Sequence, residues 1–187
     1  MEIKILKNQT LSLKGKKETV LVNSTEAQKK DNSRIWIYLS EAEKNYEWNN
    51  DKVIIKGPGE YEIGGVEVVG VNGGDGNIVY KVEIDGIVIG LLGKIKEELS
   101  DKKQERIAGV DVLMADIGGT LEYKAIAAYA KKWGANYLIP FGYEDKKALD
   151  KFLDQADQEG LESVESLKVE VENLPDGMEV MVLKIEE

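Results

Sequence analysis

Apolar and polar positions alternate with a period of two through the first half of the chain, and the period lengthens after it. Met1–Leu6, Thr10–Leu13 and Thr19–Val22 alternate or cluster β-branched residues, with Lys14-Gly15-Lys16 as a hairpin break between the last two. Arg34–Leu39 (RIWIYL) follows a polar stretch and reads as a buried strand. Val53–Lys56, a turn at Gly57–Gly59, Tyr61–Ile63, and Val66–Val71 after the Gly64-Gly65 turn continue the pattern. Asn72–Gly76 reads as a Gly-rich loop, a flexible connection. Ile78–Ile84 and Ile87–Leu92 flank Asp85-Gly86, a strong short-range hairpin signal.

Helical spacing then takes over. Ser100–Ile107 is a short helix capped by Ser100 or Asp101. Val110–Ala115 is an apolar strand that runs into Asp116 and the Gly118-Gly119 pair. Leu121–Trp133 is a helix stopped by Gly134, and Tyr137–Pro140 is a short buried strand. Glu144–Gln158 is an amphipathic helix ending at Gly160, and Lys168–Val171 and Glu179–Ile185 close the chain as strands. A β-rich half followed by β-α-β-α predicts an α+β fold of two packed sheets with helices outside. No repeat, low-complexity tract or linker interrupts the pattern, so residues 1–187 are expected to form a single domain.

Composition narrows the chemistry. The chain contains no cysteine, which removes disulfides, thiol nucleophiles and thiolate metal sites. It contains no histidine, which removes the commonest zinc ligand and the usual general base near neutral pH. Thirty-five acidic against twenty-five basic residues give a net charge of −10, and no basic stripe is visible, so nucleic acid is not an expected partner. The opening residues lack the apolar run of a secretory leader and no segment approaches a membrane span, so no membrane association and a cytoplasmic location are expected.

Four landmarks carry a resemblance: GPGEYEIGG at Gly57–Gly65, Leu92-Gly93, VDVLMADIGG at Val110–Gly119, and LIPFGY at Leu138–Tyr143. In order and spacing they resemble the metallo-β-lactamase superfamily, and within it the small Zn-dependent hydrolases of the β-lactamase fold. The resemblance covers essentially the whole chain. It implies a four-layer αββα sandwich with a dinuclear metal site at one sheet edge. The ligands there would be an H-x-H-x-D-H motif after a strand, a later His, a bridging Asp and a final His, holding two cations that activate a water.

Every one of those ligand positions is changed. Aligned on Ser40, Glu41, Glu43 and Tyr46 stand for the three His of the motif and Asn45 for its Asp. Lys94 stands for the bridging Asp, Gly142 for the last His, and Lys7–Thr10 for the family's Gly-His-Ser-Cys turn. Glu41, Glu43, Asn45, Tyr46, Lys94 and Gly142 are therefore vestigial-site positions, with no catalytic residue, metal ligand or cofactor assigned.

Two readings of Lys94 stay open: its ammonium replaces metal charge by pairing with Glu41 or Glu43, or it points into solvent. Glu41 and Glu43, helped by Asn45 or Asp116, offer an oxygen site for a hard cation, or form a solvated edge. Gly118 and Gly119 are expected to permit close backbone packing. Ser40 reads as a cap, Trp36 and Trp133 as core, and Trp48 as a plug of the old cleft or a partner surface.

The expected protein is a metal-free, catalytically inactive relative with a binding or scaffolding role, for a protein partner or small ligand, and with a homo-oligomer left open. The alternative is a divergent phosphodiester or ester hydrolase using a carboxylate-bound hard metal or acid-base residues.

Overall fold

The computed structural model describes residues 1–25, 28, 31–40, 52–158 and 160–186. Thirteen strands among them build two sheets. The first holds β1 (Glu2–Leu6), β2 (Thr10–Lys14), β3 (Thr19–Val22), β4 (Ile35–Ile37), β5 (Val53–Ile55) and β12 (Leu167–Lys168), in the order β12-β1-β2-β3-β4-β5. The second holds β6 (Gly59–Ile63), β7 (Val66–Gly74), β8 (Asn77–Ile84), β9 (Ile87–Leu92), β10 (Val112–Asp116), β11 (Tyr137–Phe141) and β13 (Glu179–Val180), in the order β13-β11-β10-β9-β8-β7-β6. Both sheets are mixed: β6 to β9 form an antiparallel meander, while β9, β10, β11 and β13 run parallel.

Helices α1 (Asp101–Ile107) and α2 (Tyr123–Trp133) connect β9 to β10 and β10 to β11, α3 (Lys146–Gln155) follows β11, and all three cover the outer face of the second sheet. That sheet is buried on both faces, and its strands show it. Val112 and Met114 of β10 enter the core between the sheets, while Leu113 and Ala115 of the same strand enter the core under the helices. Parallel strands covered on both sides read as continuous apolar runs, which is why VLMA and YLIPF carry no alternation. On the outer face of the first sheet, Leu21, Trp36 and Tyr38 form a small buried cluster. There the Trp36 ring N–H donates to Ser33 Oγ at 2.9 Å and Lys52 Nζ sits 5.2 Å from the ring centre. This is the α+β sandwich that the sequence pattern predicts.

The element boundaries differ from the pattern in three instructive places. Asn72–Gly76 is not a flexible connection. β7 runs on to Gly74, pairs Asn72 with Ile78 and Gly74 with Asn77 across a bulge, and turns at Asp75 and Gly76, both with positive φ. At the C-terminus, Glu179–Ile185 is a strand only at Glu179–Val180. The segment then crosses between layers: Val182 packs under the helices, Leu183 enters the inter-sheet core, and Ile185 bridges to Ile5 of the first sheet. Near it, Leu167–Lys168 is a two-residue strand followed by a 3-10 turn at Val171–Asn173, because Val171 has no core to enter.

Helix ends follow local chemistry. Asp145 caps α3 by accepting from the Ala148 N–H at 2.8 Å, and Gly134 ends α2 in the left-handed conformation at φ 83°. Ser100 stands at the start of α1 without a side-chain capping bond. Trp36 and Trp133 are both core, as expected, with Trp133 stacked on Tyr129 at 4.8 Å. Among the described residues no helix is long and apolar enough to cross a membrane.

Phe152 tests the helix-side core. It is fully buried on α3 and meets the Tyr123 ring edge-on at 5.5 Å. Phe152→Ala should lower unfolding free energy by about 3–5 kcal/mol in a denaturant titration; a loss below about 1 kcal/mol would mean α3 is not packed as described.

Candidate functional site

Parallel strands deliver their carboxyl ends to one edge of a sheet, and the connecting turns gather there. In the second sheet those ends are Leu92 of β9, Asp116 of β10 and Phe141 of β11. Each is followed at once by a glycine or a short turn: Gly93-Lys94, Ile117-Gly118-Gly119, and Gly142-Tyr143. The first sheet adds the turn Lys7–Gln9 between β1 and β2, Asn23–Thr25 after β3, and Tyr38–Ser40 after β4. Between them lies a cavity of about 570 Å³.

The backbone around the cavity is tight. Gly118 packs so closely on the Gly142 carbonyl that a Cβ at 118 would collide with it, and a Cβ on Gly119 would come within 3.1 Å of the Lys94 Cα. The glycine pair thus does permit close backbone packing. Gly142 has φ 73°, a conformation that disfavours any side chain, and a Cβ there would run into the Asp116 carboxylate. Asp116 therefore occupies the space that a side chain at 142 would need.

Asp116 is also the electrostatic centre. It is only 8% exposed, and its Oδ1 accepts from the Gly118 N–H at 2.9 Å. Burial raises its pKa above the ordinary aspartate value of 3.8, and the nearby Lys94 charge and the Gly118 N–H pull it back in part. Lys94 itself is exposed. Among the described residues its charge acts on Asp116; its expected pairing was with Glu41 or Glu43. Those two, with Asn45, Tyr46 and Trp48, lie outside the described residues. Ser40, expected to be a cap, bridges to Asn77 at the start of β8.

Gln9 and the Leu39 backbone join the two sheets at the cavity rim. The Gln9 side-chain amide accepts from the Gly142 N–H at 3.2 Å and donates to the Tyr143 carbonyl at 3.3 Å, pinning the turn after β11. Asn23 Oδ1 accepts from the Leu39 N–H at 3.0 Å, and the Leu39 carbonyl accepts from Ile78 of β8. Asn8, Gln9 and Asn23 all hold positive φ, at 61°, 61° and 53°. Backbone held in this sparsely populated region collects at functional sites. Sequence reasoning reached Asn8 and Gln9 only as replacements in the Lys7–Thr10 turn and did not single out Asn23 or Asn77. A faint signal existed: Asn at a strand end tolerates the left-handed turn.

A model of the beta-lactamase superfamily domain matches residues 2–141. The chain belongs to the metallo-β-lactamase superfamily. Solved structures of the superfamily share the fold along nearly the full length. A protein of Thermotoga maritima described as a candidate Zn-dependent hydrolase of this superfamily gives a TM-score of 0.79 at 24% identity, covering 99% of each chain. The metallo-β-lactamase fold protein YhfI of Bacillus subtilis gives 0.62 at 9% identity, covering 94% of this chain and 89% of its own. The metallo hydrolase Igni18 of Ignicoccus hospitalis gives 0.59 at 10% identity, covering 97% and 94%. No curated protein matches the chain.

The residues present do not fit the superfamily's dinuclear metal. The chain has no imidazole or thiolate, and among the described residues no group of three Asp or Glu side chains is arranged to hold an ion. Asp116 is the one acidic residue among the described residues lining the cavity, and the charge beside it is an ammonium. A new side chain at 142 meets Asp116 first.

Gly142→Ala tests the contact. It should cost about 1–3 kcal/mol of stability from the backbone strain and the collision together, and adding Asp116→Ala should recover the collision's share. An unchanged unfolding midpoint in the single variant would show that the carboxylate does not fill this space.

Proposed function

We propose that this protein is a cytoplasmic, single-domain member of the superfamily that has lost metal-dependent hydrolysis and acts by binding. Its cleft accepts a small polar molecule and has no means of activating a water to cleave it. The observation that carries this reading is the triad at the sheet edge. Lys94 and Gly142 stand at the positions that the family resemblance gives to a bridging carboxylate and an imidazole, and the Asp116 carboxylate takes the room left by the missing side chain.

The charge logic supports it. A buried carboxylate without compensation is costly, and the ammonium of Lys94 offsets part of that cost where a cation would otherwise be required. A protonated lysine cannot ligate a divalent ion and repels it at short range. A hard cation would need several oxygen ligands, and the described cavity wall offers one carboxylate. The remaining wall is made of amides, hydroxyls and apolar side chains, groups that bind without donating or abstracting a proton near neutral pH.

Elemental analysis of untagged protein, before and after soaking in Zn²⁺, Mn²⁺, Mg²⁺ and Ca²⁺, tests the reading together with ester and phosphodiester assays. No stoichiometric ion and no turnover are expected. A tightly held ion whose removal abolishes a measured hydrolysis would overturn it.

A further inference from the structure

Three asparagines of the cavity wall are each held at one end of the amide. Asn23 offers Oδ1 to the Leu39 N–H, so its carbonyl end is fixed by a partner that can only donate. Asn77 gives Nδ2 to the Gly74 carbonyl at 3.3 Å, so its nitrogen end is fixed by a partner that can only accept. Asn8 Nδ2 donates to Thr25 Oγ1 at 3.2 Å. The opposite ends, Asn23 Nδ2, Asn77 Oδ1 and Asn8 Oδ1, have no hydrogen-bond partner among the described residues. The wall therefore carries one donor and two acceptors without a partner among the described residues, each on an amide already held at its other end by a hydrogen bond, which lowers the ordering cost of binding.

Among the described residues, the charged side chains lining the cavity are Lys94 and Asp116, one of each sign. Those two charges cancel, within a chain of net charge −10. A multiply charged anion would meet one ammonium, one carboxylate and an overall repulsive field. A cation would meet Lys94. A molecule that carries no charge but alternates hydroxyl donors and acceptors matches the set. The cavity's size falls within the roughly 300–1,000 Å³ range of small-molecule sites.

We infer that the cleft binds a neutral polyhydroxylated small molecule, of the monosaccharide or cyclic polyol class, read by the free amide ends of Asn8, Asn23 and Asn77. This rests on the binding reading of the same cleft and names its ligand chemistry.

The test is ¹⁵N-resolved NMR titration of the full chain with D-glucose, D-galactose and myo-inositol, and separately with inorganic phosphate and AMP. Asn23→Asp is the decisive variant. Aspartate keeps the Oδ1 acceptor for Leu39 and tolerates positive φ, but turns the free donor into an acceptor. The expected result is saturable shifts at the Asn8, Asn23 and Asn77 amides from a neutral polyol, with a Kd of about 1 mM or tighter. Asn23→Asp, melting like the parent, should weaken it by about tenfold. Polyol binding that Asn23→Asp leaves unchanged would overturn the inference. Shifts at the cleft from phosphate or AMP alone would overturn it too, while leaving a binding cleft in place. No shift at the cleft from any of the five would sink both this inference and the binding reading.

Discussion

A sheet buried on both faces has room for charge only at its ends. The parallel strands β9, β10 and β11 send alternate residues into two cores, so no polar side chain is tolerated along their length. Polar chemistry is displaced to the carboxyl ends, where the three strands stop in register beside the turns of the first sheet. Asp116 is the last residue of β10 and the point where this constraint is most severe: a carboxylate almost out of water, bonded to one N–H and facing one lysine. The close glycine contacts around it follow from the same geometry, since strands that end this near one another leave no space for a Cβ at 118 or 142.

The superfamily frame survives here without the ligands that define its chemistry. Frame and ligands have separate physical bases. The sandwich is held by the apolar runs of the strands and by α1–α3 packed on the second sheet, none of which involves a metal. The structural relatives, at 24% identity and below, share that frame and say nothing further of this chain's activity. What the chain has put at the sheet edge is a compensated pair of charges and a wall of amides, with the two sheets clamped together by Gln9 and by the Ile78 N–H on the Leu39 carbonyl.

Much of this was legible in the sequence because burial writes itself as pattern. β1–β3, the β6–β9 meander and the helix stopped by Gly134 could be placed from periodicity and turn chemistry. Asn72–Gly76 could not, since glycines that suggest a loop also suit a bulged hairpin, and only pairing with β8 decides between them. The path of Val182, Leu183 and Ile185 across the layers depends on tertiary contacts that alternation cannot express. At the site, Lys94 and Gly142 stood out by the family resemblance alone. Asp116 was seen only as a helper to an oxygen site, and its place beside Lys94 and the Gly142 backbone needed the fold. Asn23 and Asn77 lie far apart in the chain, and only the fold brings them to one cavity.

Lys94 supplies charge that a buried Asp116 requires. Following the Asp116 carboxyl carbon by ¹³C NMR across an acid titration, in the parent and in Lys94→Met, measures it directly. The parent should titrate above the ordinary value of 3.8, because burial outweighs the help of Lys94 and the Gly118 N–H, and Lys94→Met should move the midpoint higher still. The linked stability runs the same way: a raised carboxyl pKa contributes stability that is full below the unfolded value and is lost as pH rises through the folded one, and that loss should be larger without Lys94. An Asp116 that titrates at or below the ordinary value, or a midpoint that ignores the loss of Lys94, would contradict the account.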